Sequence, residues 1–136
     1  MKTEIGFLIN ENDITGYIFY KYKSFIEMLN KLLKTNDSKF LGSEYSLPLY
    51  DSKRKIYGGG RVDLMFKSND YLIPIELKKE VNDNTIDQLT GYMELIKKLY
   101  NCNVKGIAIG IKTTKKVRRK TNEDIYILDL SLGEIY

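Results

Sequence analysis

The chain has 136 residues, of which 43% are apolar and 29% charged, with a formal net charge of +4. That balance excludes a disordered chain and leads us to expect one globular domain over residues 1–136 with its own core. It holds no histidine and a single cysteine, Cys102, which excludes Ser-His-Asp triads, Cys-His pairs, histidine metal sites and an intrachain disulfide.

Residues 1–10 are expected as a short strand, and residues 11–13 as a polar turn. Residues 17–35 read as one helix, because Ile18, Tyr22, Phe25, Ile26, Leu29, Leu32 and Leu33 recur at steps of three and four. A strand over 43–49 and a charged turn through Gly60 follow. Residues 61–66 and 71–78 read as two strands of a hairpin, joined by the turn 67–70. Pro74 is irregular there, since proline donates nothing to a ladder and favours edges or bulges. A loop at 81–84 leads to a helix over 85–100, with Ile86, Leu89, Met93 and Ile96 as its apolar stripe. Residues 104–111 form a buried strand, 112–123 a basic loop or short helix, 124–130 a last strand, and 131–136 a tail. A helix between two strands implies a parallel crossover, so the expected fold is α/β, a mixed sheet with helices on its faces. No apolar run nears the roughly 18 residues of a membrane span. The amino terminus lacks a signal-peptide layout, and a cytoplasmic protein is expected.

Chemistry concentrates in the hairpin. Asp63 follows Gly60-Arg61-Val62, and Glu76-Leu77-Lys78 comes thirteen residues later. Residues two apart in a strand share a face, so Glu76 and Lys78 point one way and Leu77 the other. Strand pairing can bring Asp63 beside Glu76. Two carboxylates and an ammonium in one cleft would suit a hard cation with a partner for water or phosphate, the minimal equipment of metal-dependent phosphodiester cleavage. A solvated Glu–Lys edge pair is the plainer alternative. Gln88 and Tyr92 lie four apart on the following helix. Thr85 and Gln88 also fit a capping box, and Tyr92 fits helix–sheet packing. Gly58-Gly59-Gly60 reads as a flexible turn rather than a phosphate loop, since no Gly-Lys-Ser/Thr follows. Lys112 to Lys120 carries six basic residues in nine, either a solvated surface or a phosphate contact. Glu27, on the first helix, is a weaker candidate to join a metal site.

Asp63, Glu76-Leu77-Lys78 and Gln88-Leu89-Thr90-Gly91-Tyr92, in that order, resemble the PD-(D/E)xK nuclease superfamily. Gly60-Arg61-Val62-Asp63-Leu64 and the Gln-x-x-x-Tyr helix look most like the catalytic domain of NucS/EndoMS-type, RecB-like endonucleases, over roughly residues 40–130. The resemblance implies a restriction-endonuclease-like core and a Mg²⁺- or Mn²⁺-dependent endodeoxyribonuclease. Asp63 and Glu76 would bind the metal with the Leu77 carbonyl, Lys78 would orient or activate water, and Gln88 would position the site. Arg61, Tyr92, Lys115, Lys116, Arg118 and Arg119 would meet DNA, and a homodimer is expected. Two alternatives stay open: a non-catalytic nucleic-acid-binding or regulatory module on the same fold, and a dimeric branched-DNA resolvase. The family's separate DNA-binding domain is not expected within these 136 residues, so mismatch specificity is not expected to carry over.

Overall fold

The computed structural model describes residues 10–48, 50–52, 55–57, 59–118 and 122–136. The expected strand at 1–10 lies outside them, except for Asn10. Asn10 instead caps a helix. Its Oδ1 accepts from the Asp13 N–H at 3.1 Å, and its own N–H donates to Asp13 Oδ2 at 3.0 Å. This capping box starts α1 (Glu11–Tyr20), so the expected turn at 11–13 is the first turn of a helix. The single helix expected over 17–35 is also divided. Lys21 leaves helical geometry (φ −106°, ψ 35°) and α2 (Tyr22–Leu33) follows. The bend lets Ile14 and Ile18 of α1 and Phe25, Leu29 and Leu33 of α2 enter the same core. α2 stops at Lys34, whose φ of 55° is left-handed.

The main sheet has six strands in the order β1-β4-β5-β6-β7-β8. They are β1 (Lys39–Leu47), β4 (Gly60–Lys67), β5 (Leu72–Val81), β6 (Gly106–Thr113), β7 (Ile125–Asp129) and β8 (Glu134–Ile135). A separate hairpin of β2 (Tyr50–Ser52) and β3 (Lys55–Tyr57) occupies the expected charged turn. β1, β4 and β5 are antiparallel neighbours, β5–β6 and β6–β7 are parallel, and β7–β8 is antiparallel. The sheet is therefore mixed, as expected. The tail at 131–136 contributes its edge strand.

Pro74 sits in central β5, not at an edge. The parallel ladder to β6 adapts to it. Leu72 makes an isolated bridge to Val104, and pairing resumes only at Ile75↔Ile107. The missing proline N–H falls in that gap.

α3 (Asp83–Tyr100) forms the crossover from β5 to β6. Its cap is Asn82, whose Oδ1 accepts from the Thr85 N–H at 3.2 Å while Thr85 Oγ1 accepts from the Asn82 N–H at 3.3 Å. No loop spans 81–84, and Thr85 caps back to Asn82 rather than pairing with Gln88. The sheet is thus covered on both faces. Leu64, Phe66, Ile73, Ile75 and Leu77 face α1 and α2, whereas Met65, Ala108 and Ile127 join Leu89, Met93 and Ile96 of α3. A short α4 (Lys115–Arg118) follows β6. Among the described residues no helix is long and apolar enough to cross a membrane.

Candidate active site

The site forms where two central strands part. The β4–β5 ladder runs from Lys67↔Leu72 to Leu64↔Ile75 and ends there. Beyond it, side chains do the cross-linking. Asp63 Oδ2 accepts from the Leu77 N–H at 2.7 Å. Glu76 Oε1 accepts from the Asp63 N–H at 3.3 Å. The expected meeting of Asp63 and Glu76 is therefore present, and each carboxylate satisfies a backbone donor that the parted ladder left over. Leu77 turns into the α1–α2 core as alternation required. On the outer side lies β1. Tyr45↔Val62 and Ser43↔Leu64 pair, and Glu44 between them, facing Asp63, takes a left-handed φ of 45°.

Burial dominates the electrostatics. Glu76 is 2% exposed. Desolvation, and next the neighbouring Asp63 charge, push its pKa from 4.5 up to about 7. Asp63 is raised too, by burial first, although the Leu77 amide pulls the other way. The Lys78 ammonium lowers both. A charge from the helical layer also acts on Asp63, and it comes from Glu11 in the first turn of α1. Glu27 is exposed on α2. Residues 11–13 read as a turn in the sequence, which hides Glu11 from the site. The Asn10-x-x-Asp13 pattern was the available signal for a helix start.

A cleft of about 330 Å³ opens on Asp63 and Leu77, walled by Glu11, Asn12 and Thr15 of α1 and Ser43 and Glu44 of β1. A buried carboxylate and a half-buried one, both raised above their usual range, favour a divalent cation, which would relieve their repulsion. Among the described residues no group of three or more Asp, Glu or Cys side chains is placed to hold a metal. Two carboxylates still fit Mg²⁺, which commonly takes one or two and keeps water or phosphate oxygens for the rest.

Gln88 and Tyr92 stand together on α3, with Gln88 Nε2 donating to the Tyr92 hydroxyl at 3.1 Å. The Tyr92 ring lies against Gly60, at the start of β4. Arg61 is exposed on β4, paired across to Ser46. α4 begins just past the C-terminal end of β5, where the Thr114 N–H donates to the Val81 carbonyl at 3.1 Å. Lys115 is exposed there. Lys116 pairs with Asp83 at 3.1 Å, and Lys112 with Glu80 at 3.2 Å. Arg118 ends α4, and Arg119 lies outside the described residues.

Among solved structures, the fold is similar to that of a repair endonuclease from Pyrococcus abyssi, with a TM-score of 0.55 and 21% identity. That match covers 89% of this chain and 46% of the other. A structure of EndoMS with double-stranded DNA gives a TM-score of 0.49 and 22% identity, covering 68% of this chain and 37% of the other. The chain thus spans less than half the length of either protein. At these identities the likeness is one of fold, and the mixed sheet flanked by helices is of restriction-endonuclease-like type. No protein-family model matches the chain, and no curated protein matches it in sequence.

Proposed function

We propose that the chain is a metal-dependent endonuclease that hydrolyses phosphodiester bonds in DNA, on a site of the PD-(D/E)xK kind. The observation that carries this reading is the pairing of Asp63 and Glu76 across parted strands, with Lys78 on the same strand as Glu76. The fold of a repair endonuclease supports it. Asp63 and Glu76, with the Leu77 carbonyl between the motif residues, would hold Mg²⁺ or Mn²⁺. The bound ion would supply Lewis-acid charge at the scissile phosphate and acidify a water. Lys78 would orient that water and offset charge developing on the phosphate. Gln88 and Tyr92 would brace the site from α3. Arg61, Lys115, Lys116, Arg118 and Arg119 would hold the DNA backbone without reading sequence. A homodimer would present one site to each strand.

One observation favours a non-catalytic binding module instead: only two carboxylates converge among the described residues. Cleavage of labelled single-stranded, duplex and junction DNA with Mg²⁺, Mn²⁺ or EDTA, beside Glu76→Ala, separates the two. Metal-dependent cutting lost in the variant supports the nuclease. Metal-independent binding without cutting supports the module. Preference for junctions would place it with the resolvases.

A further inference from the structure

We infer that Gly60 is a positioning residue for Asp63, and that it acts through the ring of Tyr92. From Gly60 to Asp63, β4 is paired on one side only, by Leu47↔Gly60, Ser46↔Arg61 and Tyr45↔Val62 of β1. On the β5 side the ladder has ended, and the Asp63–Leu77 and Glu76–Asp63 hydrogen bonds are what join the strands. The height of this half-free segment over α3 is therefore set by what lies beneath it. Val62 packs into the α3-side core, and Tyr92 packs against that core beside it. A Cβ at Gly60 would lie 2.6 Å from Tyr92 Cε1, 3.3 Å from Cζ and 3.2 Å from the hydroxyl oxygen. Contacts that short force a displacement of about 1 Å, since carbon atoms rest about 3.5–4.0 Å apart. The ring end can yield only at the loss of its exposed hydrogen bond from Gln88, 3.1 Å long, and of its packing on the α3-side core, and what it does not yield falls on β4.

Gly60 is not needed for its backbone. Gly60 does not have a positive φ, so alanine meets no left-handed strain at position 60. What a side chain at position 60 would meet is the ring. A lift of β4 by about 1 Å would carry Asp63 off the Leu77 amide, now 2.7 Å away. A misplacement of that size can cost about 100-fold in rate. The Gln-x-x-x-Tyr pair of α3 thereby reaches the carboxylates through a glycine, without touching them. The activity side of this inference rests on the nuclease reading; the positioning side does not.

The test is a double-mutant cycle of Gly60→Ala and Tyr92→Ala in the full chain, read by amide hydrogen exchange at Leu77 without metal and by DNA cleavage with Mg²⁺. Gly60→Ala is expected to speed Leu77 exchange by about 10-fold or more, with Ile107 and Ile127 unchanged, and to slow cleavage by about 100-fold. In the Tyr92→Ala background the same substitution is expected to change either readout by less than about 3-fold, because the two sites are then uncoupled. Unchanged Leu77 exchange in Gly60→Ala, or equal loss in both backgrounds, overturns the assignment. If Gly60→Ala alone fails to fold, a folded double variant upholds it and an unfolded one overturns it. If the protein cuts no DNA but shows the expected exchange pattern, the positioning role stands and the nuclease reading falls.

Discussion

Replacing Glu76 by glutamine should stabilise the metal-free protein at neutral and alkaline pH. The folded protein raises the Glu76 pKa from 4.5 to about 7, mainly by burial and then by the Asp63 charge. Folding therefore favours its protonated form. The stability this group contributes is fully present below about pH 4.5 and is lost as pH climbs to about 7. At about 1.4 kcal/mol per pH unit, the rise from 4.5 to about 7 amounts to roughly 3–3.5 kcal/mol. Glutamine is neutral throughout and keeps an oxygen for the Asp63 N–H, so it escapes that loss. For 136 residues at about 2.1 cal/mol/K each, 3 kcal/mol corresponds to about 10 °C in Tm. Urea and thermal unfolding in EDTA at pH 4.5 and pH 8 measure the gap between variant and wild type. The gap should be near zero at the lower pH and favour the variant by about 3 kcal/mol at the higher. Asp63 is raised in the same direction and would steepen the decline of the wild type. A variant equal to or less stable than wild type at pH 8 would show that Glu76 is not the desolvated, repelled carboxylate described.

Metal should close most of that gap. At about 100 times its Kd, Mg²⁺ or Mn²⁺ should stabilise the wild type by about 2.7 kcal/mol and leave Asp63→Asn or Glu76→Gln almost unmoved, which a Tm titration reads. Lys34 is exposed with a φ of 55° at the end of α2, so Lys34→Gly should stabilise by about 0.5–1 kcal/mol in urea unfolding. Lys112 lies 3.2 Å from Glu80, and the pair is exposed enough to matter little for folding. Glu80→Gln should leave Tm within about 2 °C while tightening DNA binding several-fold at low salt, as anisotropy would show. Unchanged affinity would remove this face from the DNA contact.

The site was legible in sequence to the extent that its residues are strand neighbours. The turn at 67–70 fixes the register Leu64↔Ile75, and Asp63 and Glu76 come next. Alternation then sends Leu77 inward. What escaped sequence reasoning depends on chain placement in space. Nothing in Glu11 announces that α1 begins beside β4, and reading residues 11–13 as a turn hid the Asn10 cap. Glu27 sits at helical spacing but on the exposed face of α2. The α3 start was displaced because Thr85-x-x-Gln88 imitates a capping box that Asn82 and Thr85 in fact form, and this leaves Gln88 to Tyr92. Gly60 looked like part of a flexible turn. Its reason is the Tyr92 ring, brought there by the β5–α3–β6 crossover. Pro74 in a central strand was unforeseeable from strand preference alone, since the ladder gap that accommodates it lies in β6 pairing.

The most direct test of the nuclease assignment is the cleavage rate of a labelled DNA duplex in Mg²⁺, for wild type and Glu76→Ala at equal folded concentration. The assignment predicts cutting by the wild type that EDTA abolishes and that the variant lacks, with circular dichroism unchanged between the two. Cutting by Glu76→Ala at the wild-type rate would contradict it.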